Sequence, residues 1–317
     1  MFYRFIILLF LVVIAYIPAC QGDFIWDDNR YVSENPVLWR QGGLRDIWFH
    51  PTATIQYYPL VFTSFWLEYR VWGLFPGGYH GVNIILHGLN AGLLWLLLRR
   101  LQIPFPWLAA AIFALHPVHV ESVAWITERK NVLSGFFYLI AFLAYLRFSP
   151  PEEPIPERGR WGWYAVALFA FAAALFSKTV TCSLPAVLVL VYWWKRSWPT
   201  RREIFALLPM FALGLVLAMH TSKMEREWVG AAGEDWNFTP VERCLIAGRA
   251  LWFYVGKLLW PYPLIFNYER WHIDAQQPWQ YLYPLGILVV LGILAWPLTR
   301  LPLPKVLTPL RRLGKGP

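Results

Sequence analysis

Charge is what this sequence has least of. Asp, Glu, Lys and Arg make up 15% of its 317 residues, where a soluble domain carries about a quarter. That scarcity excludes an ordinary water-soluble fold. The three cysteines, Cys20, Cys182 and Cys244, provide no disulfide framework and no metal-ligand spacing. Low-complexity stretches are missing, and so are repeats of helix-pair length, which removes solenoids and arrays. What is present is apolar: 58% hydrophobic residues and a mean hydropathy of +0.42. With no water in a bilayer core, such a chain satisfies its backbone only as helices or a closed barrel. Its apolar runs are continuous over roughly 15 to 20 residues instead of alternating, which selects helices.

The sequence therefore predicts an all-α, polytopic membrane bundle. Apolar windows place about eight spans, near 3–20, 81–98, 106–116, 132–148, 161–177, 180–194, 204–220 and 280–298. The 20 Trp and 16 Tyr suit aromatic belts at two membrane faces. The opening run "MFYRFIILLFLVVIAYIPAC" reads as an uncleaved first helix. Its "IPAC" loosely resembles a lipoprotein cleavage box, but a Pro beside the cleavage site is out of place there, and a multispan chain follows. The third span is short, and with the fourth it suggests a partly re-entrant pair.

Segment 243–260, "RCLIAGRALWFYVGKLLW", carries Arg243, Arg249 and Lys257. These are costly in a spanning helix and natural on one lying in the interface. With that segment on the surface and the N-terminus cytoplasmic, the inner segments hold fifteen of the 28 cations but only four of the 19 acids. This is the positive-inside pattern, and it accounts for the net charge of +9 without nucleic acid. Three outer regions follow, at 20–80, 116–131 and 221–279, and the basic tail 301–317 is expected in the cytoplasm.

The outer regions concentrate the chemistry. "FIWDDNRYVSENP" sets Asp27 and Asp28 directly after an aromatic run, where the first helix leaves the membrane. Adjacent like charges raise one carboxyl's pKa, which suits a general base; the competing reading is a solvated helix end. "HPVHVESVAWITERKN" packs two His, two Glu, an Arg and a Lys into one connection. His116 and His119 stand three apart with Glu121 nearby, yet no further Cys or His completes a tetrahedral zinc set. A divalent cation on Asp27, Asp28 and Glu121 finds no support in the spacing, so no metal or other cofactor is expected.

Arg129 and Lys130 are neighbouring cations at the outer membrane edge, and Lys178 of "LFSKTVTCSLP" lies on the same side. They suit either non-specific lipid contact or a grip on one lipid phosphate. In the second span His80, Asn83, His87 and Asn90 form a polar stripe that should face the bundle interior. The two Asn suit interhelical hydrogen bonds, and His87 either packs or lines a cavity. Aromatic residues from Tyr58 to Trp72 at helical spacing predict an amphipathic helix in the interface.

Taken in order, "FIWDDNRYVSENP", "YYPLVFTSFWLEYRVWG", "GYHGVNIILHGLNAGLLWLLLRRL", "HPVHVESVAWITERKNVLS" and "LFSKTVTCSLPAVLVL" resemble the membrane half of the transmembrane and TPR repeat-containing O-mannosyltransferases and their bacterial relatives. The resemblance runs from about residue 20 to 300 and implies a GT-C-like transmembrane domain over 1–300. It implies a glycosyltransferase that moves a sugar, mannose in the family, from a polyprenyl-phosphate donor to a hydroxyl on protein or glycan at the outer face. For a bacterial chain that face is the periplasmic side of the plasma membrane. By the same resemblance Asp27 and Asp28 are the catalytic pair, and Arg129 faces the donor phosphate. Ser177 and Lys178 match a further motif.

One carboxylate of the pair would then act as base in an inverting displacement. Arg129, Lys130 and Lys178 would hold the leaving phosphate, and His116, His119, Glu121 and His87 would position the reactants. The partners expected are the lipid-linked sugar, the acceptor and the bilayer. The family continues into more spans and TPR helices, whereas this sequence ends at Pro317 in what reads as an interrupted loop. It therefore reads as a truncated gene product, a fragment, or half of a split enzyme whose second chain supplies the missing C-terminal part. The alternative reading is a non-catalytic scaffold or half of a split enzyme. A transporter would show inverted repeats with matching broken helices, and the sequence has none.

Overall fold

The structure, a computed structural model, describes residues 2–151, 160–195, 199–230, 233 and 236–300. The basic tail 301–317, expected in the cytoplasm, lies outside the described residues. The elements are helical throughout: α1 (Phe2–Tyr16), α2 (Gly43–Phe49), α3 (Pro59–Trp72), α4 (Pro76–Arg100), α5 (Pro106–Leu115), α6 (Val120–Ala124), α7 (Arg129–Phe148), α8 (Trp161–Ser177), α9 (Leu184–Lys195), α10 (Arg201–Met224), α11 (Pro240–Leu259) and α12 (Leu282–Arg300). Proline opens α3, α4 and α5, where its missing N–H is an orphan anyway. A capping box of Thr200 and Glu203 opens α10.

Each of the eight expected spans is helical here, and the chain is a multi-pass integral membrane protein. Among the described residues, four stretches are long and apolar enough to cross a membrane: Phe2–Gln21, Pro76–Arg100, Ile126–Phe148 and Arg201–Trp228. A fifth crosses only as a broken pair, Pro106–Leu115 with Pro117–Ala124, bent by 52°. Pro117 explains the break, because its ring cannot continue α5. Trp161–Ser177, Thr179–Lys195 and Pro278–Leu294 are shorter apolar helices. Helix α11, with Arg243, Arg249 and Lys257, belongs to neither set.

The chain forms two compact units, Met1–Asn237 with Trp260–Tyr268, and Phe238–Leu259 with Glu269–Pro317. In the smaller unit α11 packs on α12. Gly248 permits their close approach, since a Cβ there would lie 2.6 Å from the backbone of Pro284. Trp252 Nε1 donates to the carbonyl of Tyr283 at 3.0 Å.

In the larger unit α4 packs against α1, α5 and α7, and α7 against α8. Gly88 and Gly92 let α1 lie close on α4: a Cβ at either would collide with Leu9 or Phe5. Small residues four apart are a standard way for helices to meet in a membrane. The polar stripe of α4 is buried, as expected. Asn83 Nδ2 donates to the Trp125 carbonyl (3.1 Å), Asn90 Nδ2 to the Val132 carbonyl (2.8 Å), and His87 Nε2 lies 3.0 Å from the Ala114 carbonyl. These bonds fasten the 114–132 connection to α4.

One face of α3 packs on protein: Phe62 and Phe65 are fully buried against Tyr31, Leu38 and Tyr79, because residues 31–38 fold back over the helix, while Leu67 and Val71 of the same helix stay exposed.

Candidate functional site

The turn that follows α1 carries the acidic pair, and the structure gives its two members different surroundings. Asp28 is fully buried. Its Oδ1 accepts from both the backbone N–H (2.8 Å) and the hydroxyl of Thr127, and its Oδ2 accepts from the Ile25 N–H at 3.0 Å. Burial pushes the Asp28 carboxyl above its ordinary value, against the hydrogen bonds of Thr127 and Ile25 that pull it down. The leading cause is thus desolvation, not the adjacent carboxylate that the sequence suggests.

Asp27 is half-buried, and its carboxylate makes no hydrogen bond or ion pair with a described residue. The residue before it, Trp26, sits at φ +50°. For a bulky side chain that region is an outlier, held at about 1–3 kcal/mol and typical of functional sites. The Trp26 ring is largely exposed and rests on Phe266, which also meets Trp125. Asp28 therefore fastens the turn, and Asp27 is the carboxylate left available for chemistry.

Arg129 is set apart by its burial. The sequence places it at the membrane edge facing a phosphate, but the structure buries it completely at the start of α7. Its Nε donates to Asn83 Oδ1, and Nη1 donates to Ser64 Oγ (3.1 Å) and Glu68 Oε1. Nη2 donates to Glu68 Oε2 (3.1 Å) and the Tyr79 carbonyl (2.9 Å). A guanidinium has five N–H donors, and all five are taken. These bonds make Arg129 an internal anchor that ties α7 to α3 and α4, and the 61 positions between it and Glu68 hide the pairing from a sequence reading.

Lys130 and Lys178 do come together, on Glu128. Lys130 Nζ lies 2.8 Å from Glu128 Oε1 and Lys178 Nζ 3.9 Å from Oε2, and all three side chains keep some exposure. Asn131 completes the group, accepting from Lys178 at Oδ1 and donating to Glu128 at Nδ2. Burial pushes the Lys178 ammonium below its ordinary value, with Glu128 opposing that shift. Glu121 is exposed and lies within electrostatic reach of Glu128, Lys130 and Lys178. Lys130 also stands over the rings of Tyr31 (5.5 Å) and Trp125 (5.9 Å). Tyr31 thus touches both the turn of Asp27, through its N–H, and Lys130, through its ring.

The histidines form a separate group. His87 and His119 each pack on Phe113 (5.2 and 4.4 Å between centroids) and on one another (5.3 Å), while His116 Nδ1 accepts from the Val118 N–H. These contacts are packing and turn formation. Among the described residues no three His, Cys, Asp or Glu side chains converge to hold a metal ion.

Three functional candidates escape the sequence reading. Glu128 collects both lysines, Glu68 holds Arg129, and Glu225 at the end of α10 accepts from Gln56 Nε2 at 2.7 Å. Each looks like a solvated charge in its own stretch, and only the fold shows its partner.

No family model matches the chain, and no solved structure matches it. Curated proteins do. The chain is 31% identical over 188 residues to protein O-mannosyl-transferase tmtc2 of Xenopus laevis, a match covering 56% of this chain and 22% of that protein. It is 30% identical over 193 residues to protein O-mannosyl-transferase TMTC4 of Homo sapiens, covering 53% and 26%. A Caenorhabditis elegans protein O-mannosyl-transferase, F38B6.6, is 32% identical over 156 residues, covering 45% and 23%. The matched part thus spans about a quarter of those relatives' length. The curated homologues of this chain are TMTC-family protein O-mannosyltransferases, at about 30% identity over about half of its length.

Proposed function

We propose that this chain is the membrane part of a glycosyltransferase that moves mannose from a polyprenyl-phosphate donor to a hydroxyl of a polypeptide at the outer membrane face. The observation that carries the reading is the division within the acidic pair. A buried, hydrogen-bonded Asp28 holds a strained turn on which the neighbouring Asp27 is free, and Tyr31, whose N–H meets the Asp27 carbonyl, borders Lys130, which shares Glu128 with Lys178.

In this reading Asp27 takes the acceptor's proton as the hydroxyl oxygen bonds to the anomeric carbon. The bond from that carbon to the phosphate oxygen breaks on the opposite face, so the anomeric configuration inverts. The leaving phosphate gains charge, and the partly exposed ammonium groups of Lys130 and Lys178 stabilise it through charge-assisted hydrogen bonds. To receive the phosphate they shift their attraction from Glu128, which keeps them oriented in its absence. The relatives' names support the sugar and the polypeptide acceptor, and the donor class is what the family resemblance of the sequence implies.

The test is transfer of radiolabelled mannose from polyprenyl-phosphate mannose to a Ser/Thr-rich polypeptide, by the full chain in lipid vesicles. Label on the acceptor that disappears with Asp27→Asn supports the reading. A folded wild-type chain that transfers nothing, alone or with a neighbouring gene's product, supports a non-catalytic scaffold instead.

A further inference from the structure

The first outer region and the far end of α10 are joined by a directed chain of hydrogen bonds. Glu225 Oε1 accepts from Gln56 Nε2 at 2.7 Å, and Gln56 Oε1 accepts from the Tyr31 hydroxyl. The Tyr31 N–H in turn donates to the Asp27 carbonyl at 3.0 Å. Some 169 positions separate Gln56 from Glu225, so the contact is made by the fold and not by local sequence. A second contact supports the same docking: the ring of Tyr57 meets His220, on α10, edge to face at 5.2 Å.

The direction of the chain is set by its last member. A carboxylate only accepts, so Gln56 must turn its amide NH₂ toward Glu225 and its carbonyl toward Tyr31. The Tyr31 hydroxyl is then obliged to donate. Burial and the surrounding carboxylates hold the Tyr31 phenol well above its ordinary pKa, so it stays a donor across the neutral range. Stacked on Phe62 and 2% exposed, Tyr31 has little room to take another position. It also borders Lys130.

We propose that Glu225 is a positioning residue of the outer site: through Gln56 it fixes Tyr31, and with Tyr31 the turn that presents Asp27. The proposal rests on the reading of Asp27 as the base, but the device itself is a property of the fold. It gives the third outer region a hold on the first without touching the reactants. Loss of the relay would leave Asp27 in place on average and less often in line, so turnover falls while donor binding persists.

The test uses the full chain in vesicles with three variants, Glu225→Ala, Glu225→Gln and Gln56→Leu. Two readouts are taken: hydrogen exchange of the amides at 27–31, and kcat and donor KM with polyprenyl-phosphate mannose. Glu225→Ala and Gln56→Leu should speed exchange by about fivefold or more and lower kcat roughly tenfold, with donor KM within about twofold, the scale of one or two lost hydrogen bonds. Glu225→Gln still offers an acceptor oxygen and should restore both within about threefold. Unchanged exchange in Glu225→Ala overturns the proposal, and so does a Glu225→Gln variant as impaired as the alanine. If Glu225→Ala does not fold, Gln56→Leu, which cuts the relay without altering α10, decides by the same criteria. A wild-type chain without transfer sinks the proposed activity, and the exchange readout then still decides whether Glu225 holds the turn.

Discussion

The Asp28 carboxylate and Thr127 stand 99 positions apart in the sequence and share two hydrogen bonds, one from the backbone and one from the hydroxyl. This pairing brings the turn after α1 against the connection that precedes α7. It makes Asp28 a structural group, and its energetics are open to direct measurement.

The first prediction follows from the sign of that linkage. Because burial raises the folded-state pKa of Asp28, the folded chain binds its proton more tightly than the unfolded chain does. Its contribution to stability is therefore greatest below about pH 3.9, the ordinary Asp value. It is lost as pH rises through the raised folded value. Compared with Asp28→Asn, which cannot titrate, wild type should gain relative stability as the pH falls through that window. Thermal unfolding of both proteins in detergent between pH 3 and 7 measures this, and a constant difference would refute it. Asp28→Ala should cost about 1–3 kcal/mol at neutral pH, because it strands the buried donors of Thr127 and Ile25.

The second prediction concerns Arg129. Removing it leaves the Glu68 carboxylate buried without its bidentate partner, so Arg129→Ala should destabilise by roughly 3–5 kcal/mol. Lysine has three donors on a flexible stem and cannot reproduce the fork, so Arg129→Lys should fail too. The double change Arg129→Met with Glu68→Gln should recover much of the loss. Melting temperatures of the four proteins test this. A folded, stable Arg129→Ala with only weakened donor binding would restore Arg129 as a phosphate ligand.

The third prediction separates the lysines from that anchor. Lys130→Gln and Lys178→Gln should each raise the donor KM by about tenfold, the scale of one charge-assisted contact, while leaving the melting temperature nearly unchanged. Burial holds Lys178 below its ordinary pKa, so donor binding should weaken on the alkaline side before the usual lysine value of about 10.4 is reached. Lys178→Arg should remove that alkaline limb. A KM profile identical in wild type and Lys178→Arg would count against the assignment.

Much of this architecture is legible in the sequence, and the limit has a physical cause. A bilayer allows an apolar run of 17 or more residues essentially one backbone solution, so the helices can be read from composition alone. The stripe of His80, Asn83, His87 and Asn90 announces its burial because its members share one face of α4. The site is legible only as residue types. That Asp27 and Asp28 differ in role depends on Thr127, that Arg129 is consumed depends on Glu68, and that Glu225 matters depends on Gln56. Each deciding partner lies more than sixty positions away, beyond the reach of periodicity or local spacing. Glu225 sits in "KMEREW", a run that in isolation reads as solvated charge.

The last prediction sets the two aspartates against each other. If Asp27 is the base, Asp27→Asn should lower kcat by about a hundredfold or more, the usual scale for a lost general base, with donor KM little changed. Asp28→Asn acts differently. It keeps an oxygen for Thr127 but turns an NH₂ toward the Ile25 N–H, so the turn is disturbed in its geometry and not in its chemistry. Its kcat loss should be smaller, about tenfold, and should come with the altered stability profile described above. Equal losses in both variants, each with its stability profile altered, would mean that neither carboxylate removes the acceptor's proton and that the pair only shapes the turn.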